Sequence, residues 1–112
     1  MKKKVFLSVP FAGRDFKEIA RALDDTANEY KRKNGDDCEY EFCSNLFISS
    51  AIEEQANSSK IPNLVYLSKA LETMANCDDV AFGEGWENAR GCIIERLAYD
   101  LYISSHLKHV PK

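Results

Sequence analysis

The sequence has no surplus of positive charge, no long apolar run and no closely paired cysteines, and each absence narrows what it can do. Fifteen Lys and Arg stand against eighteen Asp and Glu, a net charge of -3 with a pI near 5.4. This balance excludes a strongly basic surface, and with it non-specific binding to polymeric nucleic acid. No segment approaches the roughly 20 consecutive apolar residues that cross a bilayer. The four cysteines, Cys38, Cys43, Cys77 and Cys92, form no C-x-x-C pair, and in an intracellular chain they are expected as reduced thiols. Five Gly and three Pro beside 11% aromatics are globular values, without the bias of a disordered or fibrous chain. What is present is 112 residues with 45% hydrophobic content. That is enough for one domain burying roughly 65% of its extended surface without disulfides.

The opening Met1-Lys2-Lys3-Lys4 followed by Val5 to Ala12 imitates a secretory leader. The apolar run holds Pro10, is closed by Arg14-Asp15 and is followed by no small-x-small cleavage site, so it reads as a buried first strand of a soluble, cytoplasmic protein. His106 and His109 have a spacing that a Cys/His metal site could use. Flanked by Ser104, Ser105 and Lys108 they read more simply as solvated side chains, and no metal is expected.

Val5 to Val9, apolar apart from Ser8, has the pattern of a strand buried on both faces of a parallel sheet. Asp15 and Glu18 form a D-x-x-E capping box. Phe16, Ile19, Leu23, Ala27 and Tyr30 then recur at helical spacing up to the stop at Asn34-Gly35. Cys38 to Cys43 alternates, with Tyr40 and Phe42 on one face and Glu39 and Glu41 on the other, as in an edge strand. Ser44 to Pro62 is the least regular stretch, a flap with a short helix over Ala51 to Ala56, and Leu46, Phe47 and Ile48 suit packing beneath it better than a substrate pocket. Pro62 opens a helix to Asn76 with the apolar stripe Leu64, Leu67, Leu71 and Met74. Asp79 to Phe82 is a short strand broken by Gly83 and Gly85. A last helix begins near Gly91, with Ile94, Leu97, Ala98 and Leu101 expected to face the core, and Leu107 to Val110 suggests a terminal strand. The order predicts an α/β fold: a small, doubly wound, mostly parallel sheet in a three-layer α/β/α arrangement of the flavodoxin or Rossmann type. Ligands of such sheets bind beyond the carboxyl ends of the strands. Two loops leave those ends, Pro10 to Arg14 and Gly83 to Arg90.

The second loop leads into a helix with Glu95 expected in its first turn, where free N–H groups and the helix dipole favour an ionised carboxylate. Position alone makes Glu95 no more than a stabilising surface residue. Its surroundings are more specific. The run from Asn76-Cys77-Asp78-Asp79-Val80 through Gly85-Trp86-Glu87-Asn88-Ala89-Arg90-Gly91 to Glu95-Arg96-Leu97-Ala98 resembles the C-D-x-V…G-W-x-x-S-x-G-x-x-x-E-x-x-x-A signature found in a branch of the nucleoside 2-deoxyribosyltransferase superfamily. Val5 to Gly13 is similar to the opening V-Y-I-x-G-P-x-x-G of that branch. The resemblance implies cleavage of the N-glycosidic bond of a nucleoside or nucleotide, by hydrolysis or pentosyl transfer, with Glu95 as nucleophile and no metal or organic cofactor. It also implies a homodimer or higher homo-oligomer.

On this reading Ser8, Pro10, Phe11, Gly13 and Arg14 form one wall of a substrate site, and Gly85, Trp86, Asn88 and Gly91 the other. A carboxylate at Glu95 can attack an anomeric carbon and form a glycosyl-enzyme intermediate, as in retaining glycoside hydrolysis. Gly91 allows close approach of backbone to a sugar. Asp78 reads either as a proton donor or as the shaper of a turn, Trp86 either as a base-stacking surface or as a packing plug, and Arg14 either as a phosphate ligand or as a solvated charge. Arg90 and Arg96 flank the site. Four positions depart from the family pattern: Phe6 replaces a tyrosine, Ala70 an aspartate that acts on the leaving base, Ala89 a serine or aspartate, and Val9 a glycine. Glu72, Asp78, Asp79, Glu84 and Asn88 are the candidate substitutes. These losses keep two alternatives open, a nucleotide-binding protein without turnover and a protein-interaction module using Glu39 to Glu41 and Ser44 to Pro62.

Overall fold

A computed structural model describes residues 2–35, 38–44 and 50–104. Its elements are strand β1 (Lys2–Ser8), helix α1 (Phe16–Asn34), strand β2 (Glu39–Cys43), helices α2 (Ser50–Asn57) and α3 (Pro62–Met74), strand β3 (Asp79–Phe82), a 3₁₀ turn (Trp86–Asn88), helix α4 (Arg90–Ala98) and a π-helical turn (Tyr99–Ile103). The expectations for residues 45–49, for His106 and His109 and for a strand at 107–110 lie outside the described residues. Among the described residues no helix is long and apolar enough to cross a membrane.

The three strands form one parallel sheet in the order β2-β1-β3. β1 is central, with Val5 opposite Phe42 on one side and Asp79 on the other. Successive strand side chains point to opposite faces. Val5, Leu7 and Val9 accordingly meet Ile19, Leu23 and Tyr30 of α1, and Phe6 meets Ala70 and Met74 of α3 together with Val80. Both faces are covered, giving the expected α/β architecture, and β2 stands at an edge with Tyr40 and Phe42 turned to α1.

The capping box forms as read: Glu18 N–H donates to Asp15 Oδ1 at 2.8 Å and Asp15 N–H to Glu18 Oε1 at 3.0 Å. Gly35 ends the helix with its N–H on the Lys31 carbonyl. Phe16 and Leu64, expected on buried stripes, are exposed because each lies in the first turn of its helix, beyond the sheet it covers. The larger correction concerns α4. Ile94, Leu97 and Leu101 do not face the core but point outward, whereas Cys92 and Glu95 are buried and Ala98 and Tyr99 pack toward the sheet. The helix carries two candidate stripes, and the one holding the carboxylate turns inward because Ser8, fully buried at the end of β1, has its hydroxyl satisfied there.

Candidate active site

β1 delivers Ser8 to the carboxyl edge of the sheet on the face that α4 covers. Ser8 is 1% exposed, and its hydroxyl donates to Glu95 Oε1 at 2.6 Å. Glu95 is 9% exposed. It is the sixth residue of α4 and so lies in the second turn, not the first. The helix end does not dominate its charge state. Burial pushes its carboxyl above the ordinary carboxylate range, and the Ser8 hydrogen bond pulls it part of the way back. The expectation of a carboxylate held ionised by the dipole is therefore corrected: this is a desolvated carboxyl fixed in direction by a hydroxyl.

Cys92, one turn before Glu95 on the same face, completes the buried group. Burial raises its thiol, the Ser8 hydroxyl opposes this, the Glu95 charge raises it further and Arg14 lowers it. Ser8, Cys92, Glu95 and Arg14 thus share one electrostatic neighbourhood. Cys92 was missed as a site residue, although its i, i+3 relation to Glu95 is visible in the sequence.

The two loops meet each other at Gly85. Arg14 N–H donates to the Phe11 carbonyl at 3.1 Å, and Gly13, with φ of 77°, takes the left-handed conformation within that turn. Gly85 has φ of 88°, and a Cβ there would lie 3.6 Å from Pro10 Cγ and 3.8 Å from the Arg14 guanidinium, so the loops touch at this point. Gly83 is required by space: a Cβ would fall 2.6 Å from Val9 Cγ1 and 2.7 Å from Thr26 Oγ1. The exposed Asn88 closes the 3₁₀ turn through its N–H on the Gly85 carbonyl at 3.0 Å. Gly91 is exposed with open space beside it. Phe11 packs against the α1-side core.

Trp86 is occupied. Its ring lies 5.6 Å from that of Phe82, and the Arg96 guanidinium sits over Trp86, Phe82 and Tyr99 at 5.1, 5.2 and 5.7 Å while Arg96 Nε donates to Asp100. This packing accords with the plug reading of Trp86.

Asp78 is not brought to the site. Its Oδ2 accepts from Lys4 N–H at 2.8 Å and its N–H donates to the Lys4 carbonyl at 2.7 Å, at the amino end of the sheet. Four residues of strand, ~13 Å, separate Lys4 from Ser8. Asp79 is engaged at the same far end, where Tyr30 donates to its Oδ2 at 2.6 Å. Ala70 lies in the apolar cluster under β1, so a carboxylate at that position would be buried against Phe6 and Met74. Glu84 follows β3 at the opposite, carboxyl end of the sheet, as does Asn88 in the 3₁₀ turn.

A groove of about 510 Å³ runs along the other side of the first loop, lined by Arg14, Lys17, Glu18, Arg21, Thr26 and Glu84 among others. Glu95 is not on its lining. Arg14 borders the groove and also acts electrostatically on Cys92, the neighbour of Glu95 on α4. Among the described residues no group of three or more His, Cys, Asp or Glu side chains is placed to hold a metal ion. Comparison with known protein families, with characterised proteins and with solved structures returns no match to this chain.

Proposed function

We propose that the protein cleaves the N-glycosidic bond of a nucleoside or nucleotide, as a hydrolase or a pentosyltransferase, with Glu95 as nucleophile. One observation carries this reading: a buried carboxyl at the carboxyl edge of the sheet, held in a single direction by the Ser8 hydroxyl. The hydrogen bond occupies Oε1 and leaves Oε2 as the attacking oxygen. Attack on the anomeric carbon forms a glycosyl ester and expels the base, which keeps the electron pair of the broken C–N bond and takes a proton. Solvent water supplies that proton. Water or a second base then attacks the same carbon, releases Glu95 and returns the proton. Desolvation makes the unpaired oxygen a stronger base and nucleophile, and Ser8 limits the cost of its charge. Arg14 is suited to a 5′-phosphate, whose two negative charges a planar guanidinium can bind through two hydrogen bonds.

The test is base release from a panel of nucleosides and their 5′-monophosphates, followed chromatographically, for the native chain and Glu95→Gln. The native chain is expected to release free base, and Glu95→Gln to lose at least ~10³-fold in rate with its fold intact. Undiminished release by Glu95→Gln would refute the assignment.

A second reading draws on a different observation, the separation of Glu95 from the groove. In it the groove binds a nucleotide through Arg14 without turnover. The melting temperature then rises with ligand by an amount set by RT ln(1 + [L]/Kd), no base is released, and Arg14→Ala abolishes the shift while Glu95→Gln leaves it unchanged.

A further inference from the structure

Two of the four cysteines meet on the face of the sheet that α3 covers. Cys43 ends β2 opposite Phe6 of β1, and residues paired across neighbouring strands turn their side chains to the same face. On that face Phe6 packs with Ala70, Met74 and Val80, and Cys77, in the turn between α3 and β3, packs against the same cluster. The Cys77 thiol donates to the Thr73 carbonyl at 3.3 Å, and the Cys43 and Cys77 side chains are hydrogen-bonding partners. The other two cysteines stand elsewhere. Cys92 is buried beside Ser8 and Glu95 at the carboxyl end of the sheet. Cys38 precedes β2, and the strand from Glu39 to Cys43 spans ~13 Å, beyond the reach of a disulfide. Neither thiol of the pair is sealed, since both residues are half-buried. Their backbone is also free to adjust: Cys43 is the last residue of its strand, and the Cys77 N–H donates to the Met74 carbonyl, outside the sheet ladder.

We propose that Cys43 and Cys77 form a reversible disulfide when the chain meets a low-molecular-weight disulfide such as oxidised glutathione, a redox-controlled staple across the segment that carries α2 and α3. Cys43 is the entry thiol. Its thiolate attacks the small disulfide, one thiol leaves with the electron pair of the broken S–S bond and takes a proton, and a mixed disulfide remains on Cys43. The Cys77 thiolate then attacks the Cys43 sulfur and expels the second thiol. The protein gives up two electrons and two protons, and the small disulfide is reduced to two thiols. Cys77 suits the second step. Burial and the neighbouring Cys43 push its thiol up to about 12, which makes it a poor first attacker, whereas contact with Cys43 offsets its small thiolate fraction once the mixed disulfide has formed. The bond closes a loop around α2 and α3 and so restricts the unfolded chain, which stabilises the fold. Disulfides of this kind in reducing compartments are transient and report oxidation. The pair takes no part in the glycosidic reading and stands whether or not Glu95 reacts.

The test is equilibration of the full chain with reduced and oxidised glutathione, followed by acid quench, alkylation of the remaining thiols and mass analysis of the peptides. The native chain is expected to yield one bridged pair, Cys43 with Cys77, with Cys38 and Cys92 alkylated, and dithiothreitol should restore all four thiols. The effective concentration of the pair against glutathione should be on the order of 100-fold higher in the folded chain than in concentrated urea. Oxidation should raise Tm by roughly 8–15 °C, and reduction should reverse the shift. Cys43→Ser and Cys77→Ser each abolish the bridge and the shift, and Cys77→Ser leaves a glutathione adduct on Cys43, while Cys38→Ser changes neither. The native chain alone decides the matter should a serine variant fail to fold. No bridged peptide at an oxidising ratio would overturn the proposal. So would a bridge that includes Cys38 or Cys92, or an effective concentration no higher in the folded chain than in urea.

Discussion

Ser8→Ala removes one oxygen from the interior, and with it the hydroxyl's bond to Glu95 and its influence on Cys92. Serine is 1% exposed there and its hydroxyl donates to Glu95 Oε1 at 2.6 Å. At a pH above the raised Glu95 value the lost bond is one to a charged carboxylate, worth roughly 1.5–3 kcal/mol, whereas on a protonated carboxyl it is worth only about 0.5–1.5 kcal/mol. With a midpoint shift of about 4 °C per kcal/mol for a chain of this size, Ser8→Ala should lower Tm by roughly 6–12 °C at the higher pH and by about half as much or less near pH 4. The same substitution removes the interaction that holds the Glu95 carboxyl down and leaves the burial that raises it, so the Glu95 titration moves further up. Calorimetry of native and variant chains at both pH values measures the first effect, and carbonyl infrared or carbon NMR of the carboxyl the second. An equal loss of stability at the two pH values, or none at either, would refute the claim that Ser8 serves the charged form of Glu95.

Other changes have equally definite outcomes. Because the folded chain holds the Glu95 proton to higher pH than the unfolded chain does, this group contributes most stability below the ordinary carboxylate range and loses it as pH rises through the raised value. Glu95→Gln should therefore raise Tm at a pH above the raised Glu95 value and change it little near pH 4; a variant less stable than the native chain at the higher pH would contradict the burial argument. Gly83→Ala forces a methyl to within 2.6 Å of Val9 and should cost ~1–3 kcal/mol in chemical denaturation, while Gly91→Ala, with open space beside it, should gain up to ~1 kcal/mol. If a sugar packs against Gly91, that more stable variant turns over more slowly. Tyr30→Phe loses the bond to Asp79 at the far end of the sheet, so it should cost about 1 kcal/mol while base release stays unchanged.

The parts of the fold legible in the sequence were those set by local chemistry. The capping box at Asp15 and Glu18, the glycine stop at Gly35, the alternation of Tyr40 and Phe42 and the doubly apolar run of β1 each have a short-range cause, although β1 runs Lys2–Ser8 rather than Val5 to Val9, because pairing with β2 extends it back through the lysines. The orientation of α4 was not legible, since two stripes compete on it and the choice depends on Ser8, 87 residues away. Asp78 illustrates the same limit within the site: its place beside Val80 in the motif fits a catalytic acid, yet backbone pairing with Lys4 fixes it at the opposite end of the sheet. Glu95 and the two flanking loops were singled out as candidates from their motif and from their place after β1 and β3. The burial that sets the Glu95 charge state comes from packing that no local spacing encodes.

The most direct measurement is the mass of the Glu95 peptide after the protein is mixed with a nucleotide, quenched in acid and digested. A pentosyl or pentosyl-phosphate adduct on Glu95, absent from Glu95→Gln, is the predicted result. Free base released with no adduct on Glu95, or with an adduct on another side chain such as Cys92, would contradict the account.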